Sequence, residues 1–213
     1  MNPLIIGVFA SGRGSNFEAL LQRIKEDEIP AQIGAVISNN QEAGVLRIAR
    51  ENDIPAYYIE RGQFETGTEF CDALEEIFDR HNINFIALAG YLRKIPTRII
   101  RRYPNRILNI HPALLPDFGG KGMYGIKVHQ AVLESGATVS GATIHIVDEE
   151  YDHGPIVLQR EVPVLSNDSP EILAARVLQV EHRIYAEAVQ LFAEDRVILH
   201  GRTVQIVNSE TDE

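Results

Sequence analysis

Short, unbroken apolar runs alternate with helix-spaced segments through the first half of this 213-residue chain, and that alternation restricts the fold more than any other feature. Leu4 to Ala10 is continuously apolar, as suits a strand covered on both faces; a strand with one wet face would alternate. Ser11 to Asn16 reads as a turn. Phe17, Leu20, Leu21 and Ile24 then recur at helical spacing, predicting a helix over Phe17 to Glu28. The same reading gives strands at Ile33–Ile37, Ala56–Ile59, Phe85–Ala89 and Arg106–Ile110. Helices are expected at Gly44–Asn52, Thr66–Asn82 and Thr97–Arg102. Repeated strand–helix units imply a mostly parallel sheet with helices on both faces, a Rossmann-like α/β fold.

The second half has a different rhythm. A helix is expected over Lys127 to Ser135. Thr138–Asp148 and Ile156–Val164 read as two strands joined by the turn Tyr151-Asp-His-Gly-Pro155, an antiparallel pair extending the sheet. Pro170 to Glu194 is a long helix capped by Asp168 or Ser169, with Pro170 near its first turn. Val197 to Val207 reads as a small hairpin around Gly201. Residues 1–208 are expected to form one domain, and the acidic stretch Ser209 to Glu213 a disordered tail.

Composition excludes several classes. With 45% hydrophobic and 23% charged residues the chain has the profile of a soluble globular protein. Its formal net charge of -10, with no block of Lys or Arg, argues against general nucleic-acid binding through phosphates. The single cysteine, Cys71, rules out an intrachain disulfide and a cysteine metal cluster. The apolar start at Leu4 is too short for a membrane span and lacks the basic flank of a signal peptide, so a cytoplasmic location is expected.

Chemistry concentrates at Asn109-Ile-His-Pro-Ala-Leu-Leu-Pro116. Asn109 and His111 are two apart, so a strand sends both to one face. The prolines then end regular structure, leaving an amide beside an imidazole at a strand's exit, where α/β proteins place their sites. An amide donor next to a titratable ring suits an oxyanion formed in acyl transfer. Asp152 is placed to reach back across the sheet end, orient His111 and raise its proton affinity; it also fits a plain turn carboxylate. Ser11-Gly-Arg-Gly-Ser-Asn16 lacks the Walker ending and the third glycine of the dinucleotide fingerprint. It fits a cradle for a single phosphate, or an ordinary glycine turn capped by Ser15. His145 reads as a hydrogen-bonded core residue, and His129, His153, His182 and His200 as surface or capping groups. No histidine and carboxylate spacing matches a metal-ligand set. Phe118 to Gly125, with four glycines, is a lid or a loose connection.

These residues give the chain its resemblance to the phosphoribosylglycinamide formyltransferases, folate-dependent enzymes of purine synthesis. The likeness rests on Ser11–Asn16, Leu88-Ala-Gly-Tyr-Leu-Arg93, Asn109–Pro116, Asp152-His-Gly-Pro155 and Gln179-Val-Glu-His182, and covers nearly the whole chain. It implies the formyltransferase fold and a catalytic trio of Asn109, His111 and Asp152. It implies that Gly14, Ser15 and Asn16 contact the ribonucleotide phosphate, with Glu181 near the ribose or amine end. Leu92, Arg93 and the stretch from Val147 through Asp148 to Asp152 would border the folate pocket, with Asn109 also touching the folate. The implied reaction passes the formyl group of 10-formyltetrahydrofolate to the amine of 5'-phosphoribosylglycinamide, without a metal. Asn109 and a protonated His111 would hold the oxyanion while Asp152 keeps His111 cationic. A monomer or homodimer is compatible with this reading. Gly119 to Val128 is longer than in the shortest relatives and Arg13 sits at a variable position, so contacts there do not transfer.

Two sister activities share the Asn-x-His-Pro core. A methionyl-tRNA formyltransferase would carry a further basic C-terminal domain, and a formyltetrahydrofolate hydrolase an N-terminal regulatory domain. A noncatalytic nucleotide-binding module would use the glycine loop alone, leaving Asn109, His111 and Asp152 unexplained.

Overall fold

The computed structural model describes residues 3–208; the expected tail from Ser209 to Glu213 lies outside the described residues. Strands β1 (Leu4–Phe9), β2 (Ala31–Ser38), β3 (Ala56–Tyr58), β4 (Phe85–Leu88) and β5 (Ile107–His111) run parallel. Strand β6 (Val139–Ile146) pairs antiparallel with β5, and β7 (Ile156–Pro163) antiparallel with β6. The order across the sheet is β3-β2-β1-β4-β5-β6-β7. The chain therefore winds outward from β1 to β3, then reverses and starts again at β4. That switch opens a crevice outside the carboxyl ends of β1 and β4.

Helices cover both faces. Helices α1 (Ser15–Lys25), α2 (Gly44–Glu51), α5 (Ile126–Glu134) and α6 (Pro170–Ala193) pack with one face around Phe17, Leu46, Phe85, Val132 and Tyr185. Helices α3 (Gly67–Arg80) and α4 (Thr97–Arg102) pack with the other around Phe9, Phe70, Phe78 and Ile99. Coverage on both sides explains the unbroken apolar runs: every residue of β4 is buried. Local signals place the helix ends. Thr66 and Glu69 form a capping box for α3, while Ser169 caps α6 with Pro170 at its first turn. Asp168 instead holds Arg176 at 2.6 Å. A short 3-10 turn at Arg61–Gln63, capped by Glu60, had no counterpart in the sequence reading. Strands β8 (Val197–His200) and β9 (Thr203–Ile206) form the expected hairpin, turning at Gly201 with φ 63°.

Candidate active site

The crevice is a cleft of about 720 Å³. Its floor is the carboxyl end of the sheet, one wall is the start of α1 with α6 above it, and the other is the segment after β4. Gly14 makes the turn into α1 in the left-handed region, φ 92°, and a side chain there would meet Val45 Cβ at 2.8 Å. Only glycine satisfies both limits. Gly14 is the helix cap and Ser15 its first residue, so Ser15 is not the capping side chain. The free amides of this first turn line the cleft at the positive end of the helix dipole. Arg13 beside them is exposed. Asn16 is buried; its Nδ2 donates to Glu181 Oε2 on α6 at 2.7 Å, and its Oδ1 has no partner among the described residues. Burial pushes the Glu181 carboxyl up, against the hydrogen bond from Asn16.

Ser11 fastens the opposite wall. Its N–H donates to the Gly90 carbonyl at 3.1 Å and its Oγ accepts from Leu92 N–H at 2.8 Å. This fixes the segment that presents exposed Leu92, Arg93 and Lys94 to the cleft. Arg93 lies 3.8 Å from Glu60, and the Lys94 ammonium sits 5.5 Å over the Tyr151 ring.

Asn109 and His111 project from β5 into the cleft, and Asp152 reaches them from the turn after β6, where its φ is 52°. Three hydrogen bonds settle how these groups are oriented. His111 Nε2 is 2.8 Å from the Phe118 carbonyl, which can only accept, so Nε2 carries the proton and Nδ1 faces Asp152 Oδ2 at 3.6 Å. His145, opposite Asn109 across the β5–β6 pair, donates from Nδ1 to the Ile146 carbonyl at 3.0 Å. Its Nε2 accepts from Asn109 Nδ2 at 3.0 Å. The second proton of Asn109 Nδ2 points at Asp152 Oδ1 over a long 3.4 Å. His145 is thus buried and hydrogen-bonded as expected, but its partner is a site residue.

The electrostatics correct one expectation. Burial lowers the proton affinity of His111 by more than Asp152 and the Phe118 carbonyl raise it, so the ring rests neutral rather than cationic. Burial likewise raises Asp152, but the neighbouring His145 and His111 rings and the Gly120 N–H at 2.9 Å prevail, leaving its carboxyl below the usual range. At neutral pH the pair is therefore carboxylate and bare imidazole.

A model of the formyl transferase family matches residues 5–189. The chain belongs to that family. Chloroplastic phosphoribosylglycinamide formyltransferase of Vigna unguiculata is 44% identical over 96% of this chain, which spans 65% of that relative's length. The crystal structure of glycinamide ribonucleotide transformylase 1 from Symbiobacterium toebii is 40% identical, with a TM-score of 0.91, covering 97% of this chain and 95% of that one. A formyltetrahydrofolate deformylase from Pseudomonas syringae pv. tomato str. DC3000 is 28% identical with a TM-score of 0.87, covering 97% of this chain and 67% of that one.

For a formyl transferase the expected residues fall together well. Gly14, Ser15, Asn16, Leu92, Arg93, Asn109, His111, Val147, Asp148, Asp152 and Glu181 all line the one cleft. Sequence reasoning missed three contributors. The sequence puts Ser11 in a glycine turn or phosphate cradle and says nothing of its hold on the opposite wall. Gly120 holds Asp152 through its backbone, and nothing in a glycine's identity announces such a contact. His129, expected as a surface or capping group, is 4% exposed in the cleft wall. Its signal was the apolar spacing of Val128 and Val132, which puts His129 on the inner half of α5. Among the described residues no group of three or more His, Cys, Asp or Glu is placed to hold a metal ion, and no helix is long and apolar enough to cross a membrane.

Proposed function

We propose that this protein transfers the formyl group of 10-formyltetrahydrofolate to the amine of 5'-phosphoribosylglycinamide, giving the formylated ribonucleotide and tetrahydrofolate. The observation that carries the reading is the grouping of Asn109, His111 and Asp152 between two chemically different lobes. The α1 amides with Gly14, Ser15 and Asn16 suit a phosphate, and Glu181 the ribose beside it. Leu92, Val147 and Tyr151 offer apolar surface to a flat ring system, with Arg93 and Asp148 at its edges. The names of the relatives point the same way.

His111 begins as a base. As the amine nitrogen bonds to the formyl carbon, Nδ1 takes the amine proton, and Asp152 stabilises the imidazolium formed. The formyl oxygen becomes an oxyanion. Asn109 meets it with the N–H now spent on the long contact to Asp152, while His145 fixes the other. Nδ1 then returns its proton to the folate nitrogen as the carbon–nitrogen bond to the folate breaks. One proton has moved from amine to leaving nitrogen, and the balance closes without a metal or a nucleotide triphosphate.

The test is purified protein with both substrates, following folate deformylation by absorbance. Deformylation that requires the amine supports the transferase. Deformylation without it points to a hydrolase, and inert folded protein to a binding module or to a different formyl acceptor.

A further inference from the structure

His129 is a buried polar group that the reaction above leaves unused. It sits on the inner side of α5, 4% exposed, in the cleft wall. Its Nδ1 is buried and, among the described residues, has no hydrogen-bond partner. A neutral imidazole has one N–H and one lone pair. Orphaned N–H groups are rarer in protein interiors than empty acceptor sites, and a proton on Nε2 can be satisfied from the cleft, so Nδ1 keeps the lone pair and Nε2 carries the proton. The ring therefore offers a donor to the cleft. Burial, with the nearby His111 ring, pushes its pKa down to about 4, so it stays uncharged when His111 becomes an imidazolium.

We infer that His129 is a positioning residue that donates a hydrogen bond from Nε2 to a neutral acceptor oxygen of the amine substrate, its carboxamide carbonyl. The inference rests on the transferase reading. A dipole without charge suits a carbonyl better than a phosphate, and the α1 amides already serve the anion. The neighbourhood of His111 is where the attacking amine lies, and in an amino-amide the carbonyl is two bonds from that nitrogen. His129 would thus select amines that carry this carbonyl and hold them in line for attack.

Two measurements test this. The first is the nitrogen NMR signature of the His129 ring in the free full-length protein between pH 6 and 8. An Nε2–H tautomer that does not titrate is expected; an Nδ1–H tautomer, or titration near an ordinary histidine value, overturns the inference. The second is kinetic. His129→Leu is expected to lower kcat/KM for the amine about ten-fold, the effect of one lost neutral hydrogen bond, with KM for the formyl donor unchanged. His129→Gln, whose amide reaches about as far as Nε2, is expected to recover most of the loss. An amine analogue with the carbonyl reduced to methylene should be used equally by wild type and His129→Leu. Equal losses in both variants, or a loss that persists with the analogue, overturn the role. Absent wild-type turnover would remove the transferase reading and the assigned acceptor with it, whereas the tautomer is read in the free protein.

Discussion

The Phe118 carbonyl accepts a hydrogen bond from His111 Nε2–H, so Nδ1 is the only nitrogen left to exchange a proton with substrate. Because the ring rests neutral, activity depends on its bare form. Its folded pKa lies below 6.5, so the rate is expected to fall as pH drops through that lowered value and to be level just above it. Asp152 raises the proton affinity of His111; in Asp152→Asn that support is gone, and the acid limb of the pH–rate profile moves to lower pH. The amine's own titration is common to both proteins and cancels in the comparison. A limb that stays in place or moves upward would contradict the coupling. The same substitution, and His111→Ala, should each reduce kcat by at least about 10²-fold with unchanged folding, measured by turnover and circular dichroism. Near wild-type turnover in either variant removes the role assigned to that residue.

Between β6 and β7 the turn that carries Asp152 is fastened from several sides. Asp148 accepts from Glu150 N–H at 2.9 Å and lies 2.8 Å from His153 Nδ1. Gly154 passes so close to the Ile146 carbonyl that no side chain fits there, which accounts for a glycine in Asp152-His-Gly-Pro155. The far hairpin joins in: Arg202, next to the β8–β9 turn, donates to the His153 carbonyl and stands 3.5 Å from Asp148. Arg202→Ala should raise KM for the formyl donor about three- to ten-fold and leave KM for the amine alone, the scale of one exposed ion pair and one hydrogen bond. Equal changes in both constants would show that the brace does not act through this turn. Helix α6 offers a stability test. Tyr185 is completely buried and its hydroxyl has no partner among the described residues, so Tyr185→Phe removes an unpaired polar group. Chemical denaturation should find the variant more stable by about 1 kcal/mol; a loss of that size would reveal a partner for the hydroxyl.

Across the whole molecule, the sheet and its helices were legible because burial on two faces writes itself as unbroken apolar runs such as Phe85 to Leu88. Asn109 and His111 were legible because strand periodicity puts them on one face. What stayed hidden depends on three-dimensional neighbours. The orientation of the Asn109 amide follows from the register that sets His145 opposite it. The neutrality of His111 follows from how deeply the cleft encloses it. The placement of His129 depends on where α5 begins after a glycine-rich stretch that the sequence leaves open. That stretch meets the site through main-chain atoms, the Phe118 carbonyl on His111 and the Gly120 N–H on Asp152. Main-chain contacts are blind to side-chain identity but not to chain length. Changing Lys121 therefore leaves both contacts in place, whereas adding or removing one residue between Pro116 and Gly120 displaces them; Gly119 is fixed besides by its close approach to Leu115.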